Sequence, residues 1–392
     1  MNHKYDIIIS GAGPAGSTAG YLLSKAGLKV LIIDKNTFPR KKLCAGLITD
    51  KTVKLLERVF GETVGSLKKM DLINYESNGY EVFCRDKLIT RRDIAVPFRF
   101  IDRVSYDYFL LTKARNAGAD LIEGDGIGIG SLDVLRSSVT TMSGKRYSAD
   151  IIIGADGVNS RIRRSFLVDL FGREDWSGNL ASAHEIFISR TSVNKPFDHP
   201  ALFFGYIDWG YAWIFPNRDR LKVGICALKK KTREDIFTSF KTFLSDAGLK
   251  GAGEEKIYSY VLPYGSFLPE PVFRNVMLIG DAAGFADPLL GEGIYYAQRS
   301  AELASQAILE VMNGNRGIEK SREALASAYT RSLREHIFTE FEYAGKIRDV
   351  IFTCLNKSGY LPLKILFGLL GNRPVETVHG IRSYRWMKKR AG

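Results

Sequence analysis

Three glycines and an acid near the N-terminus define the clearest chemistry in the chain. "GAGPAG" sets Gly11, Gly13 and Gly16 between an Ile-rich apolar run, "YDIIIS", and "STAGYLLSKAG", where Ala19, Leu22, Leu23 and Ala26 recur on one helical face. A strand, a glycine turn and a helix in that order present free N–H groups at the helix start to phosphate oxygens. Gly11 permits the tight turn, Gly13 lets the backbone approach a pyrophosphate, and Gly16 lets the helix lie close to the strand. A second apolar run, "KVLIID", ends at Asp34, 23 residues beyond Gly11. A carboxylate there accepts hydrogen bonds from ribose hydroxyls and repels a 2′-phosphate, so the dinucleotide is FAD or NAD rather than NADP. Ala15 lies within the loop and Lys35 follows the acid, and both are counted with the contact residues.

The next candidate is a thiol. In "FPRKKLCAG", Cys44 follows Arg40, Lys41 and Lys42 and precedes Ala45 and Gly46. Two readings stand: a small buried hydrophobe, or a thiol set among cations where two small residues leave room for a flat ring. Further along, "YAWIFP" alternates Tyr211, Trp213 and Phe215 onto one face of a strand, either as ordinary core or as the wall of an apolar cavity. His184 and His199 have neither metal-ligand spacing nor a nucleophile beside them in sequence, so both are expected to be structural and no metal is expected.

The elements that hold these residues follow from periodicity. "IDRVSYDYFLLTKARNAGAD" reads as a helix capped near Asp102 and stopped at Gly118, "GDGIGIG" as a β-turn region, and "ADIIIGADGVNSRIRR" as a buried strand, a turn at Asp156 and Gly157, and a helix start. From about 170 to 265 the alternating, aromatic-rich stretches read as an antiparallel sheet, after which strand, turn and helix texture returns. The four cysteines form no C-x-x-C pair, which argues against a zinc knuckle or a dense disulfide frame and for a reducing, cytoplasmic setting. No secretory pattern precedes "KYDIIIS", and "LPLKILFGLL" is about half the roughly 20 residues of a spanning helix. A net charge of +13 favours an anionic partner, but the basic residues are spread and carry no nucleic-acid-binding signature, so nucleic acid is not expected. Near the C-terminus, "LPLKILFGLL" and "RSYRWMKKR", with Trp386, read either as a peripheral anchor to an anionic membrane or as a packing segment followed by a solvated tail.

Taken jointly, "GAGPAG", "GADGVNSRIR" and "LIGDAAGFADPLLGEGI" resemble the FAD-dependent aromatic hydroxylase superfamily over roughly residues 1 to 320. Within it, "FPRKKLCAG" and "YAWIFP" more closely resemble the geranylgeranyl reductase family, which saturates isoprenoid double bonds in archaeal lipids, chlorophyll side chains and quinones; Ala45 stands where that family often has glycine. The resemblance implies an α/β chain with a discontinuous Rossmann-type FAD-binding domain (1–75, 100–168 and 270–315). It also implies an inserted antiparallel-sheet substrate domain (76–99 and 169–269) and a helical C-terminal region (316–392).

It further implies that Gly11, Gly13, Gly16 and Asp34 hold the ADP half of FAD, that Asp281 meets the ribityl chain, and that Pro288, Gly291, Gly293 and Ile294 meet the flavin pyrimidine edge. Arg103 and the segment Cys44, Ala45 and Gly46 are placed beside the cofactor, Asp156 is expected to brace the nucleotide site, and Tyr211, Trp213 and Phe215 line the substrate cavity. The expected activity is reduction of carbon–carbon double bonds in a prenylated lipid or quinone, with Cys44 and Tyr211 as catalytic candidates and NADPH or ferredoxin as electron donor. "WGYAWIFP" also partly resembles the halogenase W-x-W-x-I-P segment, with Tyr211 at the first Trp and Phe215 at the Ile. A flavin monooxygenase or halogenase is therefore one alternative, and a non-redox cyclase or lipid-binding flavoprotein another.

Overall fold

The structure, a computed structural model, describes residues 4–170, 176–178, 180–193, 195–249, 256–265, 267–312 and 318–387. The chain divides into two compact units: Met1–Lys41, Val104–Trp176 and Ser266–Phe341 form the first, and Lys42–Arg103, Ser177–Gly265 and Glu342–Gly392 the second.

In the first unit the strands Lys4–Ser10, Val30–Asp34, Asp120–Glu123 and Val276–Leu278 join Arg146–Gly154 in one sheet. Ile7, Ile8, Ile9, Ile152 and Ile153 are fully buried, as the near-continuous apolar runs require of parallel strands covered on both faces. Lys4–Ser10 pairs in parallel with both Val30–Asp34 and Arg146–Gly154. A parallel neighbour needs a crossover, and the helix Pro14–Lys25 supplies the first one. The "GDGIGIG" region is a turn leading into the strand Ile127–Asp133, as expected, and this strand forms a hairpin with Ser138–Thr141. The helix Arg103–Asn116 begins directly after Asp102, and Gly118 closes it at φ 104°. Tyr106 of that helix donates to Gln298 at 2.8 Å, tying it to the helix Ile294–Met312.

The second unit is an eight-stranded sheet. Its order runs Tyr258–Leu262, Ala181–Ser189, Arg220–Leu228, Gly210–Pro216, Ala201–Phe204, Ile73–Cys84, Lys87–Ile101 and Leu47–Ile48. Every pairing is antiparallel except that of Ala201–Phe204 with Ile73–Cys84. The two-residue period sorts its side chains. Ile186, Ile188, Leu221, Val223 and Ile225 face one core, closed by the helix Ile236–Asp246, while Ala181, Ala183, Tyr211, Trp213 and Cys226 face the other. Each fully buried Ile or Phe contributes roughly 1.5–3 kcal/mol, so slipping one strand by a residue is costly.

Every expected boundary moves: residues 169–176 and 266–269, expected in the substrate domain, belong to the first unit. Residues 42–75 and 100–103 join the second unit, because Leu47–Ile48 pairs with Lys87–Ile101 and extends its sheet. The helical region 316–392 does not stand apart. Leu325, Ala328, Tyr329 and Leu333 of the helix Ile318–Leu333 are buried in the first core, whereas Leu363 and Val375 belong to the second. Among the described residues no helix is long and apolar enough to cross a membrane.

Candidate functional site

In the first unit the glycine loop is held so tightly that only glycine fits two of its positions. A Cβ on Gly11, whose φ is 104°, would lie 2.4 Å from the Ala155 carbonyl oxygen, and one on Gly16 would lie 1.9 Å from that of Gly11. Gly13 is the N-cap of Pro14–Lys25 and no side chain caps that helix, which leaves its first-turn N–H groups to an outside acceptor. The Arg40 guanidinium comes within 3.5 Å of where a Gly13 Cβ would stand, and buried Asp107 holds it at 3.3 Å. Asp34 accepts from the Ala12 N–H and the Asn36 N–H, each at 2.8 Å, so its carboxylate is fixed at the loop. Ala15 is buried against Gly280, and Lys35 has its stem over Gly126 and is exposed. An uncapped helix start, a cation at the middle glycine and an acid ending the second strand fit the ADP half of a dinucleotide.

The later motifs form the other wall of this unit. Asp281 lies in the turn Gly280–Ala282, and its Oδ1 is 3.3 Å from where a Gly293 Cβ would be. Pro288 is buried, Gly291 has φ 70°, and Ile294 opens the helix Ile294–Met312. Asp287, which sequence reasoning missed, shapes this loop: its Oδ1 accepts from the Leu289 and Leu290 N–H groups, each at 2.8 Å. Asp156 accepts from the Arg161 N–H at 2.7 Å and so caps the following helix, in a turn that lies against Gly11. Burial pushes its carboxyl above the usual range. Arg163 donates to the carbonyls of Val158 and Ala282 at 2.7 and 2.8 Å, stapling the second motif to the third, and burial lowers its guanidinium to about 10.

In the second unit, Tyr211, Trp213 and Phe215 do share a face. Their successive ring centroids are 6.0 and 6.5 Å apart, and the Trp213 ring lies over Gly224, where a Cβ would come within 2.2 Å of it. The Cys44 Sγ accepts from the Gly46 N–H at 3.3 Å. Gly46 has φ 77°, and a Cβ there would meet the Ile101 carbonyl oxygen at 2.3 Å and the Lys222 Nζ at 2.5 Å. Ala45 packs against the aromatic core, and Arg103 is buried at the start of its helix. Arg40, one of the three cations preceding Cys44 in sequence, is engaged with Asp107.

Sequence reasoning passed over the two charges on this face. Glu185 is fully buried with neither carboxylate oxygen hydrogen-bonded, and the Trp213 indole nitrogen is likewise without a partner. Burial pushes the Glu185 carboxyl up to about 7, against the opposing pull of Lys222, the Trp213 indole and the Cys44 N–H. Lys222 is buried, donates to the Ile101 carbonyl at 3.1 Å, and has its ammonium destabilised by that burial. The signal was present in "AHEIFIS" and "LKVGICAL", where alternation puts Glu185 and Lys222 on the same side as Ala183 and Cys226. His184 bonds to Ser259 of the neighbouring strand at 2.7 Å and His199, in a loop, to Ser77 at 2.8 Å, partners invisible in sequence.

Comparison with known proteins agrees with this layout. An FAD binding domain family model matches residues 4–79, and a tryptophan halogenase family model matches 81–344. An uncharacterized protein of Methanosarcina barkeri is 32% identical over 93% of this chain and 89% of its own length. Geranylgeranyl diphosphate reductase of Rhodobacter capsulatus is 27% identical over 80% of this chain and 77% of its own length. The crystal structure of a geranylgeranyl bacteriochlorophyll reductase-like protein from Thermoplasma acidophilum superposes with TM-score 0.76 at 20% identity, covering 90% of this chain and 88% of that one. With a glycine loop suited to FAD and a fold shared along most of its length, the chain belongs to the geranylgeranyl reductase-like family of FAD-dependent oxidoreductases, inside the wider group that the tryptophan halogenase family describes.

Proposed function

We propose that the protein is an FAD-dependent reductase that saturates isoprenoid double bonds of a lipid, quinone or pigment precursor. The observation that carries the reading is the aromatic face formed by buried Tyr211 and Trp213 and half-buried Phe215. Aromatic rings bury much area without demanding hydrogen bonds, which suits a long prenyl chain. Gly11, Gly13, Ala15, Gly16, Asp34 and Lys35 would hold the ADP half of FAD, Asp281 the ribityl chain, and Pro288, Gly291, Gly293 and Ile294 the pyrimidine edge. Reduced FAD supplies a hydride. The chain's own residues have the remaining tasks: orienting an alkene that offers no polar handle, excluding water from the carbon that becomes electron-poor, and delivering a proton to its neighbour. Cys44 shapes the cavity, and the electron donor is NADPH or ferredoxin.

The helix Leu361–Leu370 supports peripheral attachment to an anionic membrane. Leu361, Ile365 and Leu369, one turn apart, are 53%, 51% and 78% exposed, with exposed Lys364 beside them. A cleft of about 330 Å³ bounded by Cys84, Lys87, Phe352, Leu355 and Tyr360 opens at the start of this helix. Of the basic tail, Lys388, Lys389 and Arg390 and the side chain of Trp386 lie outside the described residues.

The test is anaerobic incubation of the FAD-loaded, chemically reduced protein with a panel of prenylated lipids and quinones, read by mass spectrometry. Saturation adds two hydrogens per double bond. The tryptophan halogenase match over 81–344 favours a second reading, a flavin monooxygenase or halogenase. Oxygenated or halogenated product in the presence of O2, with every prenyl chain left unsaturated anaerobically, would establish it instead.

A further inference from the structure

A buried carboxyl group with no hydrogen bond is costly, and a fold that needed it only as a strut would pair it. Glu185 is fully buried, and both of its oxygens lack a partner. A buried cation lies close enough to act on it electrostatically, yet Lys222 directs its Nζ to the Ile101 carbonyl instead of closing an ion pair. The register explains the placement. Glu185 pairs with Gly224, and Gly224 pairs with Trp213, so the carboxyl-bearing residue and the indole flank one glycine, over which the indole ring packs. The Cys44 backbone N–H lies near enough to act on the same carboxyl without hydrogen-bonding it, which puts Glu185 near both the segment expected beside the cofactor and the strand expected to line the substrate cavity.

We propose that Glu185 is the group from which the substrate carbon takes its proton, with Lys222 as the positioning cation through which that proton is replaced. The inference rests on the reductase reading above. The carboxylic O–H bond breaks as a C–H bond forms at one alkene carbon. The hydride at the neighbouring carbon, with its electron pair, comes from two-electron-reduced FAD, and a solvent proton relayed through the Lys222 ammonium restores the acid. An unactivated alkene needs an acid that is neutral yet dry until the substrate arrives. Burial supplies that state by raising the carboxyl into the neutral range and weakening the ammonium's hold on its own proton. Other titratable and charged groups face the pair. Tyr260, its phenol held far above its ordinary range by burial, feels the charges of Glu185, Cys44 and Arg103, while Cys44, Asp102 and Arg220 act on Lys222, the first two supporting its charge and the last opposing it. Tyr211, the other proton source considered, lies on the same face but pairs in register with Cys226.

The experiment has one readout that needs no turnover. In the full-length protein carrying carbonyl-labelled glutamate, infrared difference spectra across about pH 5 to 9 should show a protonated carboxyl band that disappears near neutrality. Glu185→Gln should lack that band, and Lys222→Met should move its disappearance to higher pH, because the opposing charge is gone. Anaerobic saturation by Glu185→Gln should fall by about 100-fold or more, with FAD still bound, and Glu185→Asp should recover part of it with a shifted pH profile. If the parent saturates prenyl chains and Glu185→Gln does so at the same rate and with the same pH profile, the proton comes from elsewhere and this proposal is overturned while the reductase reading stands. If no band titrates near neutrality, the proposal is overturned whatever the activity. A parent that saturates nothing overturns both.

Discussion

The same carboxyl makes a stability prediction that is independent of any reaction, through its opposition to a buried histidine. His379 is 2% exposed, accepts from the Asp50 N–H at 3.2 Å and packs at a tilt against Phe98, ring centroids 4.5 Å apart; burial lowers its imidazole from 6.5 to about 4. Burial raises Glu185 from 4.5 to about 7. Each shift is about 2.5 units, and at about 1.36 kcal/mol per unit each is an effect on the order of 3 kcal/mol. The signs are opposite. Between about pH 4.5 and 7 the folded chain holds the Glu185 proton more tightly than the unfolded chain, so its contribution is complete below pH 4.5 and is lost as pH rises to 7. Between about pH 6.5 and 4 the folded chain resists protonating His379, so that contribution is lost as pH falls. Over the shared window the two slopes cancel in the parent. Glu185→Gln removes one of them, so its stability relative to the parent should rise by about 3 kcal/mol from pH 4.5 to 7, and its own curve should decline towards acid. His379→Gln should do the reverse. Urea denaturation of parent and variants at half-unit steps between about pH 4 and 8 measures this directly. A variant-minus-parent difference that stays flat across that range would refute the claim that either group is buried away from its ordinary charge state.

Asp281→Ala should weaken FAD binding by about one to two decades in a fluorescence titration, because a charge-assisted hydrogen bond contributes roughly 1.5–3 kcal/mol; unchanged affinity would remove Asp281 from the cofactor site. Gly16→Ala sets a Cβ 1.9 Å from the backbone oxygen of Gly11, which no rotamer relieves, so it should cost roughly 1–3 kcal/mol in thermal stability and reduce FAD retained on purification. Cys44→Ser should keep fold and FAD but slow anaerobic saturation or change how many double bonds are reduced, and identical rates and products would make the thiol mere packing. Leu369→Glu, on a side chain 78% exposed, should release the protein from anionic vesicles in sedimentation without moving its melting temperature. Equal vesicle binding by parent and variant would leave that helix out of membrane contact.

The parts legible in sequence share one property: their geometry is local. Gly11, Gly13 and Gly16 lie within six residues, the strands on either side announce themselves by unbroken apolar runs, and the constraint at Gly16 is imposed by Gly11 itself. The aromatic stripe is local as well, since alternation alone puts Tyr211, Trp213 and Phe215 on one face. What stayed hidden depends on pairing across the chain. Arg40 precedes Cys44 by four residues, yet its charge is spent on Asp107, 67 residues away, so proximity in sequence misled about which group the cation serves. The domain boundary at 75 failed for the same reason: Leu47–Ile48 is too short to read as a strand until its partner Lys87–Ile101 is known. Glu185 shows the middle case. Its strand attracted attention through His184, whose ring is satisfied by a serine on the neighbouring strand, while the acid one position later turned inward unnoticed. The sequence contained enough to find it, because a strand whose odd positions include Ala181 and Ala183 must carry Glu185 to the same side. Whether an inward acid is a strut or a reagent is then decided by its partners, and those come from strands more than 25 residues distant at the nearest, where Trp213 and Lys222 reside. Reading charge by strand face, before reading it by neighbourhood in sequence, therefore brings the most chemically loaded pair of this sheet into view.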